Sequence, residues 1–218
     1  LCEHSIVMNK KKGSENMDKK ELQNPALYTN RELSWLLFNK RVLSEARDKQ
    51  LLLFERLKFL SITASNLDEF FMVRIGSLVD MIHAEYTKKD IAGMSAKEQL
   101  DALMEETHKF AALQYSTYNR MLLPQLRANG LNFVEHHEQL TERQAQYVDE
   151  YFEENVYPVL TPMAVDSSRP FPLIRNKTLN IAALLRKKNG EEDDELDFAM
   201  VQVPSVIPRI VELPEEKD

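Results

Sequence analysis

Apolar side chains recur at three- and four-residue spacing through the first 130 residues of the chain, which is the pattern of amphipathic helices. A first helix is predicted to begin after Asn30, a residue that can cap it, and to extend to about Ala46. The next helical patterns run from Leu51 to Ile62 and from Leu67 to about Tyr86. The chain is therefore expected to open with a series of packed helices.

A long fourth helix is predicted from Ser95, because Glu98 three residues later completes a capping box. Pro124 is expected to kink or end this helix, and Gly130 is a stop signal. The four helices predict an all-α bundle over residues 27–130. A polar, lysine-rich tail over residues 1–26 is expected to be disordered.

A tight corner is expected between the second and third helices. Residues 65–74 read SNLDEFFMVR, so Ser65 and Asn66 are each followed three residues later by a carboxylate, Asp68 and Glu69. Both pairs have the spacing of a helix N-terminus. The pattern predicts a helix–turn–helix corner with Asn66 as a cap at its apex. It explains the carboxylates as capping partners and not as a general acid and base.

After the bundle the sequence changes to shorter patterns. Residues 131–134 alternate like a strand. Thr141 and Gln144 form another capping box, which predicts a helix to about Asn155.

Strand-like runs dominate the remainder of the chain. Two strands are expected at 177–185 and 197–203, with a hairpin turn at Asn189-Gly190, and a last strand at 209–211. The predicted fold class is α+β. An amino-terminal helical bundle is followed by a smaller, incomplete α+β domain over residues 131–218.

Composition and charge narrow the function classes. The 218 residues are 43% hydrophobic, without an apolar run long enough to cross a membrane. The formal net charge of −7 disfavours a nucleic-acid binder, and with it nucleic-acid recognition by the corner. The single cysteine, Cys2, fits a cytoplasmic protein. The chain does not begin with methionine, and its last residues do not close a helix or strand with a recognisable end signal. Both features favour a fragment of a longer protein.

The sequence contains no recognisable catalytic motif. Gly-rich phosphate-binding and dinucleotide-binding loops are absent. None of the five histidines stands in a nucleophilic or metal-binding pattern, and the adjacent pair His136-His137 lacks further ligands. We therefore predict no catalytic residue and no metal ligand in this chain.

Several separated segments nevertheless resemble one protein family. SNLDEFFMVR, together with NRELSWLLFNKRVL at 30–43, is similar to the amino-terminal helical domain of the long, histidine-phosphorylated polyphosphate kinases. The resemblance continues through FERLKFL at 54–60 and PVLTP at 158–162, and covers about residues 28–213. It implies a homo-oligomeric enzyme that transfers the terminal phosphate of ATP to polyphosphate, with Mg²⁺ and a phosphohistidine intermediate.

The resemblance also implies roles for particular residues. The family's asparagine directly before Leu-Asp-Glu-Phe contacts the nucleotide, which implies this role for Asn66; the preceding residue is often a second asparagine and is Ser65 here. The catalytic histidines and the arginines that bind metal and phosphate belong to carboxy-terminal domains of the family. Magnesium ligands are thus expected outside this chain, which is expected to be inactive alone. The resemblance also implies that the second domain, which is called the head in this family, takes part in subunit association.

Two questions stay open at the level of sequence. At helical spacing Arg74 falls on an apolar stripe with Leu67, Phe71 and Leu78, where a guanidinium needs a partner. It forms either a buried or interdomain ion pair, or a contact with a phosphate or polyanion. For the whole chain, the alternative to a kinase segment is a non-catalytic helical scaffold or interaction module.

Overall fold

The computed structural model describes residues 21–165, 171–186 and 197–215. These residues form two compact units, one ending at Asn132 and the other beginning at Phe133. Residues 1–20 of the tail expected to be disordered lie outside the described residues. The rest of that segment begins with two short 3-10 turns, Glu21–Gln23 and Pro25–Leu27.

Within residues 28–132, the first unit is built from three long helical stretches. The first is α1 (Arg31–Arg47), which Asn30 caps by accepting hydrogen bonds from the backbone amides of Glu32 and Leu33. The second stretch consists of α2 (Leu53–Phe70), a π-helical segment (Phe71–Ile75) and α3 (Gly76–His83). The third consists of α4 (Ala96–Thr117), a π-helical segment (Tyr118–Leu122) and α5 (Leu123–Ala128).

The predicted corner at Ser65 and Asn66 is wrong, because α2 runs through both residues without a break. The capping interpretation of Asn66, Asp68 and Glu69 is wrong for the same reason. The buried positions Thr63 and Phe70 continue across the segment and pack against neighbouring helices. Tertiary packing therefore overrides the local capping preference.

The ends of the third helical stretch follow the sequence more closely. The capping box of Ser95 and Glu98 is confirmed. Pro124 does not end the helical stretch. It follows a wider π turn, in which the amide of Leu123 donates to the carbonyl of Tyr118, and it lies in the first turn of α5, where proline is tolerated. Gly130 ends the stretch with a φ of +84°, a conformation that glycine adopts without strain.

The core of the first unit lies between these three stretches. Trp35 on α1 stacks on Phe70 of α2, with ring centroids 4.4 Å apart and planes 5° from parallel. The buried residues of this cluster are Leu36, Phe70, Ile75, Leu78, Ala96 and Leu103. A second cluster joins Leu43 and Ala46 to Phe110 of α4. Burial of these apolar faces, and not helix propensity alone, stabilises the bundle.

The second unit combines one longer helix with a small sheet. α6 (Glu142–Tyr151) begins at the predicted capping box of Thr141 and Gln144, and continues into a π-helical segment (Phe152–Val156). Short 3-10 turns at His137–Gln139 and Tyr157–Val159 flank it. The antiparallel sheet comprises β1 (Thr161–Val165), β2 (Leu179–Leu185) and β3 (Asp197–Val203) in the order β1-β3-β2.

The sheet confirms two predicted strands and corrects the others. β2 and β3 pair as expected, with Ala183 opposite Ala199, while the Asn189-Gly190 turn lies outside the described residues. β1 was not predicted, and it contains Pro162. Among the described residues it pairs with β3 alone, and an edge strand tolerates proline.

The strands expected at 131–134 and 209–211 are irregular segments, and neither has a strand partner among the described residues. The fold class is α+β, as predicted, with an all-α bundle followed by a smaller α+β unit. No helix in the described part of the chain combines the length and apolar character needed to span a bilayer.

Candidate functional site

Asn66 lies in the interior of α2 and faces α1. Its side chain is half-buried, and its Nδ2 donates a hydrogen bond of 3.0 Å to Oδ1 of Asn39. Asn39 is on α1 and has 0% of its surface exposed. The residue that sequence marked as a helix cap therefore joins two helices through a side-chain amide pair.

The pair extends into a buried network that reaches α4. Nδ2 of Asn39 donates to the backbone carbonyl of Thr63 at 3.1 Å. The hydroxyl of Thr63 donates to the carbonyl of Leu60 and accepts from Nε2 of Gln114 at 2.9 Å. We call Asn66, Asn39, Thr63 and Gln114 the amide network. Hydrogen-bonded polar groups in a core fix one arrangement of the helices, since rearrangement leaves them unpaired.

Sequence reasoning missed Asn39, Thr63 and Gln114. A signal was present, because Asn39 falls at the spacing of the buried positions Leu36 and Leu43 on α1. A polar residue on an apolar stripe needs a buried partner. The identity of that partner depends on how the helices pack, which the sequence pattern does not give.

Arg74 lies in the π-helical segment after α2, and not on the buried stripe. The extra residue in the π turn changes the spacing between buried positions from four to five, so Phe70 and Ile75 are buried while Phe71 is 37% exposed. The predicted stripe through Phe71 and Arg74 is therefore wrong. The Arg74 side chain is 48% exposed, and its Nε lies 3.9 Å from Oε2 of Glu32.

Glu32 is the acidic centre of this region. Its side chain is only 7% exposed, and its Oε1 accepts hydrogen bonds from Nε and Nη2 of Arg31, the first at 2.9 Å. Two guanidinium groups thus surround one carboxylate. A single carboxylate compensates at most one of these two positive charges.

These residues line an open cleft of about 660 Å³ in the first unit. Its charged lining residues are Arg31, Glu32, Arg74, Lys88, Lys89 and Asp90. Asp90 accepts from Nδ2 of Asn30 at 2.7 Å and from the backbone amide of Met94 at 2.8 Å, so both carboxylates are engaged with the protein. The cleft carries an excess of positive charge, which favours anionic groups.

The structure does not bring Asn66 and Arg74 into one pocket. Asn66 is not among the residues that line the cleft. The two residues are separated by roughly 12 Å along the helix axis, at about 1.5 Å per residue.

The histidine pair lies beside one acidic side chain. Nε2 of His137 lies 3.3 Å from Oδ1 of Asp149 at the surface of the second unit. The described residues contain no group of three or more His, Cys, Asp or Glu side chains arranged to hold a metal ion.

A carboxylate between α1 and α4 has a lowered pKa. Oε2 of Glu106 lies 2.7 Å from Nζ of Lys40, and Oε1 lies 2.9 Å from Nζ of Lys109. Hydrogen bonds from Lys109 and Lys40 lower the pKa of Glu106 to about 2. This group joins two helices and stays ionised at neutral pH, so it is not suited to proton transfer there.

Comparisons with known proteins add to this geometry. The polyphosphate kinase N-terminal domain model matches residues 28–134, and the polyphosphate kinase middle domain model matches residues 143–218. The polyphosphate kinase of Lactiplantibacillus plantarum is 53% identical over 187 residues, which are 86% of this chain and 26% of that protein. The polyphosphate kinase of Bacillus anthracis is 46% identical over 197 residues, 89% of this chain and 28% of that protein.

A crystal structure of polyphosphate kinase from Porphyromonas gingivalis has a similar fold. The TM-score is 0.72 at 32% identity, over 86% of this chain and 27% of that one. The chain thus spans about a quarter of the length of these relatives. It belongs to the polyphosphate kinase family, whose N-terminal and middle domain models match it in order along the sequence.

Proposed function

We propose that this chain is part of an enzyme that transfers the terminal phosphate of ATP to polyphosphate in the cytoplasm. The observation that carries the proposal is the ordered match of two polyphosphate kinase domain models over residues 28–134 and 143–218. A relative named polyphosphate kinase is 53% identical to this chain over 187 residues, which supports the same proposal. Phosphoryl transfer depends on positioned phosphates and a nucleophile, and in this proposal those groups belong to other parts of the enzyme.

In this enzyme Asn66 contacts the nucleotide. Its half-buried amide, held by Asn39 at 3.0 Å, supports this role, because a fixed amide can pair with the edge of a purine base at little entropic cost. The contact is assigned to the base, because the edge of a base offers donor and acceptor groups that pair with those of an amide. Magnesium would balance phosphate charge from ligands elsewhere in the enzyme.

Arg74 contributes positive charge to a cleft that receives polyphosphate. The proposal is supported by four cationic side chains against two engaged carboxylates in the cleft lining. A guanidinium that is 48% exposed can keep its contact with Glu32 and still bind a phosphate oxygen. In the alternative interpretation, Arg74 only completes the ion pair with Glu32.

The second unit takes part in association of identical subunits. Its described residues expose large apolar side chains, with Leu173 at 92%, Val206 at 79% and Ile210 at 73%. Exposed apolar surface of this kind is typical of surfaces that another chain or segment covers. In the described part of the sheet, β1 and β2 are the edge strands, and each offers backbone groups without a strand partner there.

The complete protein that contains this chain provides the test of the reaction. We expect it to form polyphosphate from ATP, and we expect Arg74→Ala to raise the KM for polyphosphate more than the KM for ATP. Lys58→Ala is a matched control, because Lys58 is an exposed cation whose ion pair is with Glu55, away from the cleft. If the complete protein forms no polyphosphate, the function is wrong; if only the effect of Arg74→Ala is missing, the cleft assignment is wrong.

A further inference from the structure

The amide network determines which side-chain atom of Asn66 faces Asn39. Nδ2 of Asn39 lies 3.1 Å from the backbone carbonyl oxygen of Thr63. A backbone carbonyl only accepts hydrogen bonds, so the Asn39 atom that faces it must be the nitrogen. The oxygen of Asn39 therefore faces Asn66, and the Asn66 atom 3.0 Å away must be its nitrogen. One backbone acceptor thus orients two side-chain amides.

This orientation leaves the carbonyl oxygen of Asn66 turned away from Asn39. Within the described part of the chain, this oxygen accepts no hydrogen bond. The position consequently offers an acceptor to a ligand, and an N–H group is the complementary partner. A ligand without a donor at this point leaves the acceptor unpaired on binding.

We propose that Asn39 is a positioning residue, which holds the Asn66 carbonyl oxygen outward so that this position selects a base bearing an exocyclic amino group. The proposal rests on the proposed function, in which Asn66 contacts the nucleotide. It adds a residue that does not touch the nucleotide, and it names the chemical feature of the base that is recognised.

Reversal of the orientation is disfavoured at every step of the network. If the Asn66 amide rotated by half a turn, its oxygen would face the buried oxygen of Asn39. If Asn39 rotated as well, its oxygen would face the carbonyl of Thr63. Either change opposes two acceptors in a region where Asn39 is fully buried, and an unpaired buried polar group is costly.

Thr63 is itself held in place from two sides. Its hydroxyl donates to the carbonyl of Leu60 at 2.6 Å and accepts from Gln114 on α4 at 2.9 Å. The acceptor that orients Asn39 is therefore fixed by the packing of α2 on α4. Because Asn39 in turn orients Asn66, the Asn66 oxygen is held in one position and is preorganised for one ligand orientation.

A first test uses the complete enzyme without any substitution. Purine riboside 5′-triphosphate lacks the 6-amino group of ATP and keeps the rest of the molecule. We expect kcat/KM to be about three- to tenfold higher for ATP, the range of one hydrogen bond to a neutral group. Equal values for the two nucleotides would overturn the proposal, even if no variant of Asn39 folds.

A second test compares two substitutions at Asn39. Asn39→Leu removes the acceptor that faces Asn66, whereas Asn39→Asp retains an oxygen there. Both lose the N–H toward Thr63, so both are expected to lower the midpoint of thermal unfolding. Asn39→Leu should reduce the preference for ATP to about twofold or less, while Asn39→Asp should keep it within twofold of the unsubstituted enzyme. Equal loss in both variants, or loss in neither, would contradict a positioning role.

The proposed function has its own control. Asn66→Ala should remove the preference for ATP over purine riboside 5′-triphosphate, because it raises the KM for ATP without raising the KM for the nucleotide that lacks the amino group. If Asn66→Ala changes neither the preference nor the KM for ATP, Asn66 does not contact the nucleotide, and the inference about Asn39 falls with it. If Asn66→Ala acts as expected and Asn39→Leu does not, the nucleotide contact stands and only the role of Asn39 is wrong.

Discussion

At the scale of single residues, the side chain of Asn66 binds Asn39 instead of capping a helix, and this changes the effect of substitution. A cap accepts hydrogen bonds from backbone amides, so aspartate would replace asparagine well. In the amide network Asn66 donates to Oδ1 of Asn39. Aspartate cannot donate there when ionised, so the two residues are no longer interchangeable.

Asn66→Asp is therefore expected to destabilise the fold. Its carboxylate oxygen would face the buried oxygen of Asn39, and the cost should be about 1–3 kcal/mol of unfolding free energy. Denaturant unfolding of this chain measures the effect. Ser65→Asp adds the same charge at an exposed neighbouring position of α2 and should change stability by less than about 0.5 kcal/mol. Equal stability of both variants would show that the Asn66–Asn39 bond contributes nothing.

Glu106 provides a pH-dependent contact between α1 and α4. Its pKa is lowered from 4.5 to about 2, so its contribution to stability is fully present above about pH 5 and is lost as the pH falls toward 2. We expect Glu106→Gln to reduce stability at neutral pH and to differ progressively less from the unsubstituted chain as the pH falls. Urea unfolding midpoints between pH 7 and pH 2.5 measure this convergence.

Glu105 is the control for that series. Its carboxylate bonds the same Lys109 but not Lys40, and its side chain is 70% exposed. Glu105→Gln should produce a smaller difference at neutral pH, because an exposed pair within one helix contributes little. A pH-independent effect of Glu106→Gln would exclude its ionisation as the cause.

At the scale of secondary structure elements, the π-helical segment Phe71–Ile75 matches the burial of α2 to that of α3. The segment adds one residue to a turn, which keeps Phe70 and Leu78 in the same core cluster. Removal of Met72, which is 54% exposed, should convert the segment into regular α-helix and retain cooperative unfolding. The buried residues Phe70 and Ile75 would then be four positions apart, which is the spacing of one face of a regular α-helix.

Removal of a residue within α2 is the matched comparison. Ala64 is also exposed, but its loss rotates the helix beyond it by about 100° and moves Phe70 off the core face. This deletion is expected to cost more than about 3 kcal/mol, the range for losing a large buried side chain. Far-UV circular dichroism during thermal unfolding distinguishes the two. Equal damage from both deletions would mean that the π segment is required for folding.

The predictable elements are those that local chemistry determines. Asn30, Ser95 and Thr141 were identified as caps from nearby residues alone, and each caps a helix. Asn66 gave the same local signal but lies inside α2, because the buried pattern continues across it. The hydrogen bond between Asn66 and Asn39 joins residues 27 positions apart, so helix packing had to be known before it could be found.

At the scale of the whole molecule, the chain matches two successive domains of the polyphosphate kinase family. The N-terminal and middle domain models match it, but it spans about a quarter of its relatives. We expect the isolated chain to form no polyphosphate and to carry no phosphohistidine after incubation with radiolabelled ATP. Phosphoryl transfer depends on phosphates held by metal ions, and the described residues contain no group of three or more His, Cys, Asp or Glu side chains arranged to hold one. Acid-labile label on a histidine would contradict this expectation.

We propose that this chain supplies the nucleotide contact of a polyphosphate kinase through Asn66. The most direct measurement is kcat/KM for ATP in polyphosphate synthesis by the complete enzyme, with and without Asn66→Ala, at temperatures where both are folded. We expect kcat/KM to fall by about five- to a hundredfold, the range for removing one partner of a hydrogen bond in a binding site. An unchanged kcat/KM for ATP in a folded variant would show that Asn66 only holds α2 against α1.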